Sequence, residues 1–120
     1  MSEVLFRGAS GRLHRFNVHA PGEAFAAAPG VYAFARPAGA GRGWAPVFLS
    51  RTANLSARLA RHERWAEAAA LGATHVLVHQ RDERDVREFV EADLLKTMNP
   101  ALNDPMHSAA WVRPRLVWAA

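Results

Sequence analysis

The chain has 120 residues, with 15 Lys or Arg against 11 Asp or Glu, a formal net charge of +4 and no cysteine. That length is enough for one hydrophobic core, which predicts a single domain over residues 1–120. The lack of cysteine excludes disulfides, thiolate metal sites and a cysteine nucleophile. No apolar run approaches the roughly 18 residues that suggest a membrane span, so a cytoplasmic protein without a membrane partner is expected.

Arginine supplies nearly all of the positive charge. A guanidinium binds phosphate through two parallel hydrogen bonds, so the excess is compatible with nucleic acid as a partner. The same excess is expected of a protein encoded by a GC-rich genome, and composition alone does not separate these two explanations.

The N-terminal part of the chain predicts a β-hairpin. Residues 4–6 and 13–18 are rich in β-prone side chains and flank a glycine-containing turn. We expect this extension, residues 1–29, either to extend the sheet of the following core or to cover its edge. After a Pro-Gly pair, residues 23–28 are predicted as a short helical turn.

The next residues predict two antiparallel strands, 30–35 and 45–50, joined by a glycine-rich loop over residues 37–43. Thr52 then suits the N-cap of a helix. One face of that helix is expected to carry Leu55, Leu59 and His62.

Three further elements complete the predicted core. Residues 63–71 predict a second helix that ends at a glycine, and residues 74–79 predict a strand. The clearest helix is predicted over residues 82–97, with acidic residues in its first turn and an apolar stripe formed by Val86, Phe89, Val90 and Leu94. The tail, residues 104–120, is apolar enough to pack on the core, with an interrupted edge strand as one option.

Five short segments follow one another in the order of a known family. They are Gly30-Val31-Tyr32, Phe48-Leu49-Ser50, residues 54–62, residues 91–95 and residues 99–103. Together they resemble the GIY-YIG nuclease domain over residues 30–103. The resemblance implies an α+β fold with a small antiparallel sheet flanked by helices and with the active-site groups on one face, here with an extra N-terminal hairpin.

The resemblance implies roles for three residues near the reacting phosphate. Tyr32 matches the tyrosine that activates or orients the attacking water, and Arg58 matches the helix arginine that contacts the scissile phosphate. His62 lies four residues further on, where some members have a histidine. A general-base Tyr32 requires a lowered pKa, since free tyrosine titrates at about 10. A half-buried strand aromatic and a solvated helix charge are the structural alternatives for Tyr32 and Arg58.

The resemblance also implies a metal site. Glu91 matches the single carboxylate that binds one divalent ion, Mg²⁺ or Mn²⁺, and a surface ion pair with Arg87 is its structural alternative. Asn103 matches the asparagine that supports the site by hydrogen bonding and is otherwise a turn residue. Arg51 and Arg61 lie beside the motifs and are expected to help bind the substrate.

The second motif departs from the family pattern. Gly30 keeps the glycine of the first motif, but Phe48 replaces the tyrosine of the second and Ser50 replaces its glycine. If both tyrosines activate the water, the missing hydroxyl costs on the order of 10²- to 10⁴-fold in rate.

Three functions are compatible with these residues. The first is a metal-dependent endonuclease acting on nucleic acid, with DNA favoured as substrate. The second is a catalytically impaired domain that binds nucleic acid or another protein, and the third is a use of the fold unrelated to nucleic acid. Four tryptophans are candidates for stacking on bases, although tryptophan is more often found in cores and interfaces: Trp44, Trp65, Trp111 and Trp118.

Overall fold

The computed structural model describes residues 2–39 and 43–103. Within that part of the chain, one antiparallel sheet contains the strands β1 (Glu3–Arg7), β2 (Leu13–His19), β3 (Gly30–Pro37), β4 (Trp44–Thr52) and β5 (His75–Gln80). The helices are α1 (Leu55–Ala60), α2 (Trp65–Ala70) and α3 (Arg84–Leu95), followed by a 3₁₀ turn at Ala101–Asn103. The predicted class, α+β with a small antiparallel sheet flanked by helices and an N-terminal hairpin, is confirmed.

The strands follow the order β1-β2-β5-β3-β4. The hairpin β1–β2 continues the sheet, because β2 pairs with β5 over Asn17–His19. The first family-like motif starts β3, which lies between β5 and β4. The outer position of β4 explains how it accommodates Pro46, because the N–H that proline lacks is not needed for pairing with a second neighbouring strand.

Helices cover both faces of the sheet, and each face has its own apolar cluster. On one face, α1 and α2 pack on a cluster that includes Tyr32, Phe34, Phe48 and Leu55. On the other face, α3 packs on a cluster formed by Phe16, Val31, Ala33, Leu49, Leu77, Val90 and Leu94. The alternation of neighbouring residues between the two clusters follows from the two-residue period of a strand.

The helix α3 is amphipathic as its sequence period predicts. Val90 and Leu94 are buried against the sheet, and Val86 is partly buried beside them. Phe89 lies at the margin of the stripe and is 44% exposed. The guanidinium of Arg12 covers this ring at 5.8 Å from its centroid, which leaves Phe89 between the hairpin and solvent rather than in the core.

The predicted helical turn over residues 23–28 is wrong, since the segment has no regular secondary structure. The Glu23 carboxylate accepts the backbone N–H of Ala20 at 2.7 Å and closes a local turn. Further along, the carbonyl of Ala28 accepts the N–H of Leu55 at 2.8 Å. The segment therefore satisfies the orphan donors at the start of α1 instead of forming its own ladder.

Two other local expectations need correction. The N-cap of α1 is Asn54 rather than Thr52, since the Asn54 side chain accepts the N–H of Ala57 at 3.1 Å. The helix ends at Ala60, so His62 follows it in a turn instead of sharing its apolar face. No helix in residues 2–39 and 43–103 is long and apolar enough to cross a membrane. The expected packing of residues 104–120 lies outside the described residues.

Candidate active site

Tyr32 lies in β3, where it is paired with Ser50 of β4. Its side chain is fully buried in the cluster that contains Phe48 and Leu55. The Tyr32 hydroxyl lies 2.7 Å from Nε2 of His62. A hydroxyl inside an apolar cluster requires such a partner, because burying it alone costs free energy.

His62 is a buried residue in the turn between α1 and α2. Its Nδ1 accepts the backbone N–H of Arg64 at 3.1 Å, so the proton of the neutral ring is on Nε2 and is donated to the Tyr32 oxygen. Burial lowers the pKa of His62 to about 4, and the positive charge of Arg58 adds to that shift. The imidazole is therefore neutral at pH 7.

Burial also raises the pKa of Tyr32 above 10, although Arg58 and Ser50 act in the opposite direction. The lowered pKa that a general-base tyrosine requires is therefore not found. At pH 7 the phenol keeps its proton, and its oxygen accepts one hydrogen from His62. In this state Tyr32 can orient a polar molecule but is a poor proton acceptor.

Arg58 belongs to α1 and forms a two-pronged ion pair with Glu63, at 2.7 and 2.8 Å. The pair raises the pKa of Arg58, with a smaller contribution from Tyr32. It lowers the pKa of Glu63 to about 2. The Glu63 side chain is 64% exposed, so the pair is screened by solvent and exchanges readily for another anion.

Glu91 belongs to α3 and pairs with Arg51 of β4 through a contact of 2.5 Å. The same guanidinium lies 3.6 Å from the carboxylate of Glu88. The predicted alternative, an ion pair between Glu91 and Arg87, is wrong: Glu91 pairs with Arg51 instead. Arg87 donates to the backbone carbonyls of Arg81 and Asp82. An ion pair across 40 residues replaces the expected one within a helix.

Asn103 lies in the 3₁₀ turn and faces the outer strand β4. Its Oδ1 accepts the N–H of Leu49 at 2.8 Å, and its Nδ2 donates to the Leu49 carbonyl at 2.7 Å. The amide thus binds the backbone of the second motif directly. Its contacts fix the strand that carries Ser50 and are structural in this arrangement.

The sequence-predicted residues therefore form two groups. Tyr32, Arg58 and His62 lie together on the face covered by α1 and α2. Glu91 lies on α3, which covers the opposite face, and meets Arg51 at the end of β4. Arg51 follows Ser50 in the chain, so the end of β4 joins the two groups.

The remaining motif positions have clear packing roles. A Cβ at Gly30 would lie 2.9 Å from the carbonyl oxygen of His79 and from the Leu55 side chain, so this position requires glycine. Phe48 packs its ring 5.3 Å from that of His62 and fills the place where a second hydroxyl is missing. Arg61 is exposed and lines a cavity of about 370 Å³ next to His62.

The side chains near Glu91 offer few ligands for a divalent ion. Among the described residues, no group of three or more His, Asp or Glu side chains is arranged to hold a metal ion. A magnesium ion that keeps most of its waters needs only one or two carboxylates. The Glu91 carboxylate is paired with Arg51, so a hydrated cation at Glu91 would have to take the place of that guanidinium.

A further polar cluster was missed at the sequence level and lies under the hairpin. Asp93 of α3 accepts the N–H and the hydroxyl of Ser10 at 2.7 and 2.8 Å, and Nε2 of His14 lies 2.8 Å from it. These contacts, chiefly the one with His14, lower the pKa of Asp93. A Cβ at Gly8 would overlap this carboxylate, so the turn is fitted around Asp93. We call these residues the hairpin clamp.

The two described tryptophans pack against other rings. The ring centroid of Trp44 lies 4.7 Å from that of His75, and the ring centroid of Trp65 lies 5.0 Å from that of Phe34. These contacts hold both indoles against the protein, in the manner of core and interface tryptophans. Trp111 and Trp118 lie outside the described residues.

Comparison of the chain with protein-family models, curated proteins and solved structures gave no match in any of the three. The likeness to the GIY-YIG pattern therefore depends on the residues of this chain alone.

Proposed function

We propose that the protein hydrolyses phosphodiester bonds of nucleic acid, with DNA as the favoured substrate, in the manner of a GIY-YIG endonuclease. The supporting observation is the contact between Tyr32 and His62 beside Arg58. Burying a phenol and an imidazole costs more than burying apolar side chains of the same volume, and the guanidinium of Arg58 is partly exposed beside them. A domain that served only as a scaffold would not need these polar groups in its interior. A site that binds phosphate would need them as hydrogen-bond donors and as a positive charge.

The protonation states assign different roles to the two buried groups. Tyr32 stays protonated at pH 7 and orients the attacking water through its hydroxyl. His62 is neutral above about pH 4 and holds the Tyr32 oxygen in place through its Nε2–H, while the proton that the water releases passes to solvent. Arg58 leaves Glu63 and then binds the scissile phosphate. Because the Glu63 side chain is exposed, breaking this ion pair costs little free energy.

Glu91 would hold the divalent ion, with Mg²⁺ or Mn²⁺ as the cofactor. When bound, the ion neutralises charge on the phosphate and the leaving oxygen. Arg51 must then leave Glu91, and its guanidinium becomes free to bind the substrate. Arg61 is exposed near His62 and is the third arginine in contact with the nucleic acid.

The first test is cleavage of labelled single-stranded, duplex and branched DNA and of RNA, with Mg²⁺ or Mn²⁺. Glu91→Gln is expected to reduce cleavage on the order of 10³-fold through loss of the ion's charge stabilisation. Glu67→Gln is the matched control, because Glu67 is also a helical glutamate paired with an arginine, at 2.7 Å from Arg64. Equal rates for Glu91→Gln and the native chain would exclude Glu91 as a ligand.

A binding domain without cleavage is the second candidate. It is favoured by Phe48, whose ring occupies the place of the missing hydroxyl next to Tyr32 and His62. In that case neither the native chain nor Glu91→Gln cleaves any substrate, and both bind nucleic acid with the same salt dependence.

A further inference from the structure

A cavity of about 480 Å³ opens between the end of β4 and the start of α3. Three arginines line it, Arg51, Arg84 and Arg87. The other lining residues have small or hydroxylated side chains: Ser50, Thr52 and Ala53. Arg51 connects this cavity with Glu91, because it lines the cavity and its guanidinium pairs with the Glu91 carboxylate. We call it the arginine cavity.

Arg87 is the unusual member of this set. It is only 8% exposed, and its Nη1 donates to the carbonyls of Asp82 and Arg81 at 2.7 and 3.2 Å. Its Nε is buried and has no hydrogen-bond partner among the described residues. Within residues 2–39 and 43–103, no carboxylate lies within ion-pair distance of this guanidinium.

A buried guanidinium without a counter-ion is costly, and proteins normally pair such a group with an anion. The carbonyls of Arg81 and Asp82 fix the orientation of Arg87 but do not neutralise its charge. An anion in the arginine cavity would supply the missing negative charge. The cavity volume is sufficient for a tetrahedral oxyanion and its remaining waters.

The other two arginines can turn toward such an anion. The Arg84 side chain is 81% exposed and is held by one contact with Glu88, at 3.1 Å. Arg51 meets the same carboxylate at 3.6 Å. Exposed pairs of this kind are weak, so a backbone phosphodiester, with one negative charge shared by two acceptor oxygens, competes with Glu88 for both arginines. Ser50 also lines the cavity, whereas the hydroxyl of Thr52 already donates to the Asn54 carbonyl at 3.3 Å.

We infer that the arginine cavity binds a backbone phosphate of the nucleic acid next to the one that is cleaved. This inference rests on the proposed function, because it places the cavity beside Glu91 on the path of the same strand. It gives Ser50 a role as a donor in the place where the family pattern has glycine. It also adds Arg84 and Arg87 to the substrate-binding residues.

The test measures binding without divalent metal, so that its result does not depend on cleavage. Inorganic phosphate and then a short single-stranded oligothymidine are titrated into the ¹⁵N-labelled full chain while amide and arginine Nε–H signals are followed by NMR. We expect saturable shifts at the Arg87 Nε–H and at the amides of residues 50–53 with both ligands. A lack of saturable shifts at Arg87 with both ligands would exclude the cavity as a phosphate site.

Arg84→Gln tests the same site in a variant that is expected to fold, because the side chain is exposed. Arg15→Gln is the control, since Arg15 is also exposed, is paired with one carboxylate, Glu3, and lies on β2. Arg84→Gln should weaken oligothymidine binding by about three- to tenfold and reduce the salt slope by about 0.7, with a change below about twofold for Arg15→Gln.

Two results overturn the inference. If inorganic phosphate saturates the Arg87 signal while oligothymidine leaves it unchanged, the cavity binds phosphate from a source other than nucleic acid. If Arg84→Gln and Arg15→Gln weaken oligonucleotide binding equally, the effect is one of net charge and not of this cavity. Saturable binding of oligothymidine at Arg87 in a chain that never cleaves would support the cavity as a backbone-phosphate site and reject the hydrolytic function.

Discussion

The hairpin clamp and the candidate active site both hold ionised side chains, but in opposite ways. In the clamp, Asp93 is 4% exposed and contacts the N–H and hydroxyl of Ser10 as well as His14. At the site, the carboxylate of Glu63 is exposed and binds a single partner, Arg58. The first arrangement saturates a buried charge, and the second leaves a charge available for exchange.

This difference separates structure from function. Substituting a buried carboxylate that accepts several hydrogen bonds should destabilise the fold, because its donors are then left without a partner in a low-dielectric interior. An exposed pair contributes little to folding and exchanges its partner when a stronger anion arrives. Mutations in the two regions should therefore have contrasting effects on stability and on binding.

The largest effect on stability is expected at the clamp. Asp93→Asn removes the charge and leaves one oxygen to serve Ser10 and His14, which should lower the Tm on the order of 10 °C. The control is Asp85→Asn, in which an exposed carboxylate on the same helix accepts only the neighbouring N–H of Val86. Thermal unfolding followed by circular dichroism checks both, and equal Tm values would show that the clamp is not needed for stability.

Lowering the pH is expected to decrease stability by less than the Asp93 substitution does. The folded pKa of His62 is about 4, below the 6.5 of an unfolded histidine, so the unfolded chain binds more protons between these values. The free energy of unfolding should decrease by at most about 3 kcal/mol as the pH falls from 6.5 to 4, and this group adds no further loss below pH 4. Burial also lowers the pKa of His79, so this residue too decreases stability as the pH falls below 6.5.

The variant His62→Asn separates the two histidines. It should remove the part of this pH dependence that His62 causes, while the part from His79 remains. Urea unfolding at several pH values between 7 and 4 measures the difference. If the native chain and His62→Asn lose stability in parallel, the neutral imidazole proposed for the site is not present in the folded protein.

The smallest effect on stability is expected at the exchangeable pair. Glu63→Gln should change the free energy of unfolding by less than about 1 kcal/mol, since both partners are solvent-accessible. Arg58 then carries an unopposed charge, and nucleic-acid binding should tighten by about two- to threefold. Glu67→Gln is again the control, and fluorescence anisotropy with labelled DNA at two salt concentrations compares them. Weaker binding for Glu63→Gln alone would contradict the proposed role of Arg58.

Local patterns in the sequence predicted much of the fold. The period of α3 placed Val90 and Leu94 on the sheet, and the runs around Tyr32 and Phe48 predicted paired strands. The failure at residues 23–28 has a physical cause, because their carbonyls are used by α1, an element that lies beyond them in the chain. The helix propensity of residues 23–28 carries no information about the N–H groups of α1 with which their carbonyls pair.

The site was predicted only in part for the same reason. The family-like motifs brought Tyr32, Arg58 and His62 together as candidates, and these residues do lie together. The pairing of Arg51 with Glu91 joins elements 40 residues apart, and no local spacing indicates it. The hairpin clamp was missed because a buried aspartate and histidine 79 residues apart resemble ordinary surface residues in the sequence.

The two hydrogen bonds between Asn103 and Leu49 have a consequence for the behaviour of the protein in solution. An outermost strand exposes donors and acceptors that can recruit the strand of another molecule. Here a side-chain amide occupies both backbone groups of Leu49, in the middle of β4, the outermost of the described strands on its side of the sheet. The asparagine therefore blocks the pairing of a further strand at this point of β4, and its replacement by a residue without an amide would free both backbone groups of Leu49.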